Sequence, residues 1–74
     1  MLITVKSATG KKINLNMEPD NTILQVKQAI QEKDGFDILQ IKLLYTGKPL
    51  QDEKKLADYK IEAGSTIHVL YNLR

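Results

Sequence analysis

The residue with the widest chemical repertoire in this chain of 74 is its single histidine, His68. An imidazole can bind a metal or act as a general base. A protein zinc site needs three or four ligands, and a base needs a nucleophile within hydrogen-bond reach. No other histidine and no cysteine is present to complete such a set. Two interpretations of His68 remain at this point: an ordinary surface residue, or part of a binding surface.

Other charged residues also lack the surroundings that chemistry would require. Gly47-Lys48 has neither the glycine-rich lead-in nor the following Ser or Thr of a phosphate-binding loop. The carboxylates of Asp52, Glu53 and Asp58 lack the spacing and internal glycine of a calcium loop, so we expect Asp58 to cap a turn. The sequence therefore predicts no catalytic residues, no metal and no cofactor, and a small enzyme is the least favoured interpretation.

Length and composition narrow the class of protein. A chain of 74 residues predicts one domain over residues 1–74. A net charge of +2 is too balanced to indicate nucleic-acid binding. We find neither a signal peptide nor an apolar stretch of the roughly 20 residues that a membrane span requires. The absence of cysteine favours a cytoplasmic or nuclear protein, and we expect a monomer.

Hydrophobic periodicity predicts an α+β fold with a mixed sheet packed on one helix. Apolar residues alternate in 1–7 and again in 12–17, around a Gly-containing turn typical of a β-hairpin. Helical spacing follows over 22–34, with Thr22 and Gln25 as a capping box and Gly35 after the last turn. Further strands are predicted at 40–45, at a short return beginning at Leu50, and at 65–72. We expect the first and last strands to lie side by side at the centre of the sheet.

Strand parity predicts which side chains form the core. In the last strand, Ile67 and Val69 share one face, so His68 and Leu70 must lie on the other. The same rule separates Leu43 from Leu44. The expected core comprises Ile3, Val5, Ile13, Leu15, Val26, Ile30, Leu43, Leu50, Leu56, Ile61, Ile67 and Val69. An apolar outer sheet face is typical of a surface that another protein binds.

Taken in order, the residues resemble the ubiquitin and ubiquitin-like family, which has the β-grasp fold. The resemblance extends from Met1 to Arg74 without an obvious gap. Its most telling pieces are Thr9-Gly10-Lys11, Glu18-Pro19, Val26-Lys27, Lys33 with Gly35, Gly47-Lys48, the run Leu56-Ala57-Asp58-Tyr59, Ile61, and the run Ser65-Thr66-Ile67-His68. No single piece is specific, but their joint order indicates the fold.

The resemblance implies a protein that other proteins recognise, without an active site of its own. The positions matching the family's recognition patch, together with its basic rim, are Ala8, Lys42, Leu44, Gly47, Lys48, His68 and Leu70. Strand parity independently predicts that Leu44, His68 and Leu70 lie on the outer face of the sheet. A possible second surface comprises Phe36, Tyr71 and Leu73. If the protein is a modifier, lysines at matching positions are possible isopeptide acceptors: Lys6, Lys11, Lys27, Lys33 and Lys48.

Two functions remain open. The leading expectation is a ubiquitin-like interaction module in the ubiquitin–proteasome pathway, which binds proteasome subunits or ubiquitin-binding domains. The alternative is a conjugated modifier whose terminal Gly-Gly lies beyond Arg74. The 74 residues contain no Gly-Gly, and Ala29 and Ala63 replace two lysines of ubiquitin. A polypeptide ending at Arg74 is expected not to form a thioester with an activating enzyme, because it lacks the terminal glycine.

Overall fold

A computed structural model describes residues 1–71 of the chain and shows a five-stranded mixed sheet with one helix. The elements are β1 (Leu2–Ser7), β2 (Lys12–Asn16), α1 (Ile23–Asp34), β3 (Ile41–Tyr45), β4 (Lys48–Pro49) and β5 (Thr66–Tyr71). Short 3-10 turns lie at Ile38–Gln40 and Leu56–Tyr59. The strand order is β2-β1-β5-β3-β4, and β1 pairs in parallel with β5. The predicted β-grasp and its central pair of strands are confirmed.

Helix α1 has the ends that its sequence predicts. The Thr22 side chain accepts a hydrogen bond from the Gln25 N–H, and the Gln25 side chain accepts one from the Thr22 N–H. This reciprocal pair satisfies two amides that the first turn leaves without partners. Gly35 follows the last turn with a φ of 80°, a left-handed conformation that glycine adopts without steric cost. Helix α1 thus begins at Ile23, just after its cap.

The core lies between α1 and one face of the sheet. All twelve residues predicted to be buried are buried. Met17, Ile23 and Ile41 join them, and Ile23, Val26 and Ile30 form the buried face of α1. Inward and outward residues alternate along β1, β2 and β5, as the sequence periodicity requires.

Three predicted strand boundaries were wrong by one or two residues. Strand β3 begins at Ile41 because Gln40 closes a 3-10 turn that the Asp37 side chain caps. Strand β4 is Lys48–Pro49 and precedes Leu50, because Thr46 (φ 52°) and Gly47 (φ 80°) form a tight turn that returns the chain at once. Leu50 still donates its N–H to the Leu43 carbonyl at 2.9 Å. Strand β5 begins at Thr66, and the predicted end at residue 72 lies outside the described residues.

The segment that joins β4 to β5 is fastened to the start of α1. The N–H groups of Ile23 and Leu24 donate to the carbonyls of Lys54 (2.8 Å) and Asp52 (3.1 Å). Lys27 Nζ lies 2.6 Å from the Asp52 carboxylate, and the Lys27 side chain is only 12% exposed. Farther along, the Asp58 carboxylate accepts the Lys55 N–H at 2.8 Å, as expected for a turn cap. These contacts hold the segment against the core.

Candidate functional site

A row of outward side chains crosses the sheet through His68. In the strand pairing, His68 lies beside Lys6 of β1 on one side and beside Leu44 of β3 on the other. Leu44 in turn lies opposite Pro49 of β4. Neighbouring strands are about 4.8 Å apart, so these side chains are in direct reach of one another. The row places an imidazole between an ammonium group and an apolar side chain on the sheet face opposite α1.

A second row adds another apolar side chain to the same face. Leu70 lies opposite Lys42 and is diagonal to Leu44 across the β3–β5 ladder. Leu70 is 43% exposed, Lys42 is exposed and Leu44 is half-buried. Diagonal residues on one face of an antiparallel pair remain within reach for long side chains. Leu44, His68 and Leu70 therefore form one continuous surface of two leucines beside an imidazole, which we call the outer patch.

Of the three remaining residues matched to the family's patch, Ala8 and Gly47 lie at its margins and Lys48 does not. Ser7 pairs with Val69 in the parallel ladder, so the exposed Ala8 leaves the sheet at the level of Leu70. Gly47 is in the turn after β3. Lys48 pairs with Tyr45 and so has the opposite parity to Leu44. It lines a shallow polar depression with Tyr45, Thr46, Asp58, Tyr59 and Lys60, rather than the outer patch itself.

Charge is distributed unevenly around the outer patch. Among the described residues, no strand contains an aspartate or a glutamate. The outward positions of the strands instead carry Lys6, which pairs with His68, and Lys42, which is diagonal to His68. Lys12 lies one strand farther away, opposite Lys6. An apolar surface with a cationic margin favours a partner whose apolar side chains are flanked by acids.

The two described residues of the predicted second surface lie on the other side of the sheet. Tyr71 pairs with Ile41, so it has the parity of the core. Its ring stacks on Phe36 with centroids 4.2 Å apart and an interplanar angle of 26°, and both residues are half-buried. Leu73, the third predicted member, lies outside the described residues. Phe36 and Tyr71 thus lie together, and they are separated from the outer patch by the sheet.

Tyr71 also belongs to a polar cluster that fastens the end of β5 to the end of α1. Its hydroxyl donates to Asp34 Oδ2 at 2.5 Å, and Lys11 Nζ lies 2.8 Å from Asp34 Oδ1. The hydrogen bonds from Lys11 and Tyr71 hold the pKa of Asp34 below its ordinary value. Burial, followed by the bond to Asp34, raises the pKa of Tyr71 to about 12. The cluster joins the β1–β2 hairpin, α1 and β5 through one carboxylate.

Nothing in residues 1–71 provides the parts of a metal centre: no group of three or more histidine, cysteine, aspartate or glutamate residues lies close enough to hold an ion. Within the same residues, no helix is long and apolar enough to cross a membrane. His68 lies beside Lys6 and Leu44, neither of which is a nucleophile that an imidazole base could activate at neutral pH.

Comparison with known proteins places this arrangement in a family. Residues 3–74 match the family model described as "Ubiquitin family". The chain belongs to the ubiquitin family. Over all 74 residues it is 39% identical to Ubiquitin-like protein 1 of Schizosaccharomyces pombe, of which it covers 95%. It is also 39% identical over 74 residues to Ubiquitin-like protein NEDD8 of Dictyostelium discoideum, of which it covers 96%. Over 70 residues it is 39% identical to Ubiquitin-like protein 4A of Xenopus tropicalis, but there it covers 47% of the relative.

The five lysines that match acceptor positions of the ubiquitin family are not equally accessible in this member. Lys33 and Lys48 are exposed, and Lys6 is half-buried in the row beside His68. Lys11 is 61% exposed, although its ammonium group is paired with Asp34. Lys27 is nearly buried and paired with Asp52. An ε-amine must be reached by an incoming acyl group to react, so Lys27 is less accessible to acylation than the exposed Lys33 and Lys48.

Sequence reasoning missed two features of this ubiquitin-like domain. The cluster of Lys11, Asp34 and Tyr71 has no sequence signal, because its hydrogen bond from Tyr71 spans 37 residues. The Lys27–Asp52 ion pair likewise joins two residues that no local pattern connects, since Lys27 lies in α1 and Asp52 in the segment after β4. The only available hint was that Lys27 lies one position from the buried Val26, close to the core-facing stripe of α1.

Proposed function

We propose that this chain is the folded body of a ubiquitin-like protein modifier, whose carboxyl-terminal Gly-Gly comes after residue 74. The observation that carries the proposal is the extent of the match with its relatives. Two relatives named as ubiquitin-like proteins, one of them NEDD8, are matched over 95% and 96% of their own lengths. A match over nearly the whole length of a relative supports a shared mode of action better than a match to part of a larger relative does.

In this function the chain is a substrate of other enzymes and does no catalysis itself. An activating enzyme would use ATP to convert the chain's terminal carboxylate to an acyl adenylate, releasing pyrophosphate, and its thiol would then displace AMP to form a thioester. A conjugating enzyme would take over the acyl group on its own thiol and transfer it to the ε-amine of a target lysine. The amine forms the new amide bond and the enzyme thiol leaves. The folded domain contributes the surface that these enzymes recognise.

The outer patch is the surface that we propose for recognition, in the cytoplasm or the nucleus. Leu44 and Leu70 supply apolar contact area, and His68, Lys6 and Lys42 supply its polar margin. An amphipathic helix with an apolar stripe fits a nearly flat sheet face of this kind. The patch is small, so we expect dissociation constants on the order of micromolar to millimolar for a single partner domain.

A second candidate function is an interaction module that is never conjugated. The observation that favours it is the match to Ubiquitin-like protein 4A, of which the aligned segment makes up 47%. In this case the same outer patch would bind proteasome subunits or ubiquitin-binding domains. The two candidates share the recognition surface and differ in the residues that they require beyond residue 74.

The deciding experiment is a thioester assay on the chain with its natural carboxyl terminus. The protein, ATP and an activating enzyme for ubiquitin-like modifiers are mixed and run on a gel with and without a reducing agent. The modifier predicts an adduct that the reducing agent removes. A polypeptide ending at Arg74 serves as the matched control and should form none. No adduct from the natural terminus with any such activating enzyme would reject the modifier and leave the interaction module.

A further inference from the structure

Strand β5 loses its backbone partners before it reaches Tyr71, its last residue. Its parallel pairing with β1 ends at Val69. On its other side, the Leu43 carbonyl accepts the Leu50 N–H at 2.9 Å, so that carbonyl points toward β4 and away from β5. Bonded and non-bonded pairs alternate along an antiparallel ladder, so the pair two residues from Leu43, Ile41 with Tyr71, is non-bonded as well. The strand pairing therefore does not fasten the end of β5.

The side chain of Tyr71 supplies the hold that the strand pairing lacks. Its ring stacks on Phe36, and its hydroxyl donates to Asp34 Oδ2 at 2.5 Å. A hydrogen bond to an ionised acceptor is roughly twice as strong as one between neutral groups. The end of β5 is thus held to the end of α1 as long as the Asp34 carboxylate stays charged and in place.

Asp34 in turn depends on one ammonium group. Its side chain is only 3% exposed, and a buried carboxylate is stable only when its charge is balanced. Its Oδ1 accepts no hydrogen bond from the backbone or from Tyr71 within residues 1–71. The group that balances this oxygen is the ammonium of Lys11, 2.8 Å away. The charge of Lys11 therefore supports the Tyr71 bond through Asp34.

Lys11 is open to chemistry that cannot reach Asp34. The Lys11 side chain is 61% exposed, so a reagent or enzyme can approach its amine from solvent. The backbone of Lys11 is fixed independently of its side chain. Its carbonyl accepts the Ser7 N–H at 2.8 Å, and its N–H donates to Ser7 Oγ at 3.2 Å. A change at Nζ therefore leaves the β1–β2 turn in place and acts on Asp34.

We propose that acylation of Lys11 Nζ releases the end of β5 from α1. The Lys11 nitrogen bonds to the acyl carbon of a thioester donor, one ammonium proton leaves with the thiol, and a second proton passes to solvent. The amide that forms is neutral and no longer balances Asp34. Because Asp34 is the last residue of α1, its side chain can turn to water, and the Tyr71 hydroxyl then loses its acceptor.

The release is local to the end of β5. By the same alternation, the Lys42–Leu70 and Leu44–His68 pairs are the bonded ones, so the outer patch keeps its place in the sheet. Acylation at the β1–β2 turn thus loosens the strand that leads toward the carboxyl terminus without removing the recognition surface. This coupling does not depend on the proposed modifier function, because it requires only an acylated Lys11 and two described side chains.

The test is amide hydrogen exchange, followed by NMR, on the chain with and without acetyl-lysine at position 11, introduced during synthesis. The Leu70 amide belongs to the last bonded pair of β5, so it reports opening of the strand end. Acetylation of Lys11 should speed Leu70 exchange about tenfold relative to exchange of the buried Val26. Acetylation of Lys12, an exposed lysine without an ion pair within residues 1–71, is the matched control and should leave Leu70 exchange unchanged.

Two variants show whether the effect passes through charge and through the Tyr71 hydroxyl. Lys11→Arg keeps the positive charge and should exchange as the unmodified chain does. Tyr71→Phe keeps the ring but removes the hydroxyl, so its Leu70 amide should already exchange fast, and acetylation of Lys11 should add no further increase. The proposal is overturned if acetylation of Lys11 leaves Leu70 exchange unchanged, if Lys11→Arg exchanges as fast as the acetylated chain, or if acetylation has its full effect in Tyr71→Phe.

Discussion

Leu44 and His68 are direct cross-strand partners on the sheet face that points away from α1. The neighbouring residues of the two strands are also paired: Leu43 lies opposite Val69 on the other face of the sheet, and both are buried in the core. Because side chains alternate along a strand, burying Leu43 and Val69 directs Leu44 and His68 outward together. The outward position of the outer patch is therefore a consequence of the core, and a shift of register by one residue would turn both side chains to the other face.

The turn between β3 and β4 stores strain at Thr46, whose φ is 52°. A β-branched residue is a poor occupant of the left-handed region, which asparagine tolerates better. We predict that Thr46→Asn raises the free energy of unfolding by about 1 kcal/mol. Urea denaturation measures the change. Thr46→Val keeps the branched side chain and should bring no gain. Equal free energies of unfolding for Thr46→Asn and the wild type would contradict the claim that Thr46 is strained.

The Asp34 carboxylate should make stability depend on pH in the acid range. Its folded-state pKa is lowered, chiefly by Lys11 and then by Tyr71, from an ordinary value of 3.8. The unfolded chain therefore binds the proton first as the pH falls. The stabilisation is complete above the ordinary pKa and is lost as the pH falls through the lower folded value.

Replacement of Asp34 by asparagine tests this linkage. Compared with the wild type, Asp34→Asn should be less stable at neutral pH and should lose less stability between about pH 5 and pH 2. Denaturant unfolding at several pH values gives both slopes. Asp37→Asn is the matched control, since Asp37 is exposed and caps only a short turn. If the free energy of unfolding changed with pH in the same way for Asp34→Asn and the wild type, the Asp34 carboxylate would not contribute to the pH dependence of stability.

Lysine accessibility gives a prediction about chemical reactivity. Lys27 is 12% exposed and its Nζ lies 2.6 Å from Asp52. Acylation of the folded chain with a lysine reagent, followed by mass spectrometry, should modify Lys27 far more slowly than the exposed Lys33 and Lys48. Unfolding the chain in denaturant should remove the difference. Equal rates for Lys27 and Lys33 in the folded chain would mean that the ion pair opens readily.

The features that depend on local periodicity could be predicted from the sequence. Alternation predicted the core residues of β1, β2 and β5, and Thr22 with Gln25 predicted the start of α1. Parity also predicted that Leu44, His68 and Leu70 share one face. The predicted start of β4 was wrong, because the true start depends on the conformation of Thr46 and Gly47 rather than on a hydrophobic pattern.

Long-range polar contacts could not be predicted in this way. The bonds of Asp34 to Lys11 and Tyr71 join three elements whose relative placement only the packed core defines. A sequence pattern contains no period that connects such distant residues. The parity of Lys48 relative to the outer patch was also not evident, because the short return strand was predicted to begin at Leu50 and not at Lys48.

The central claim is that other proteins recognise this chain through the outer patch. The most direct test is an NMR titration of the isotope-labelled chain with a ubiquitin-interacting helix, comparing the wild type with Leu70→Ala. Leu70 is 43% exposed, so its truncation should change the free energy of unfolding by less than about 0.5 kcal/mol. It should nevertheless weaken binding by about 1 kcal/mol or more, since it removes a central apolar anchor. Leu39→Ala, at an exposed leucine outside the patch, is the matched control and should bind as the wild type does.

We predict shifts clustered on Ala8, on residues 42–48 and on residues 68–71. Shifts confined to α1, or unchanged affinity for Leu70→Ala, would contradict recognition through the outer patch.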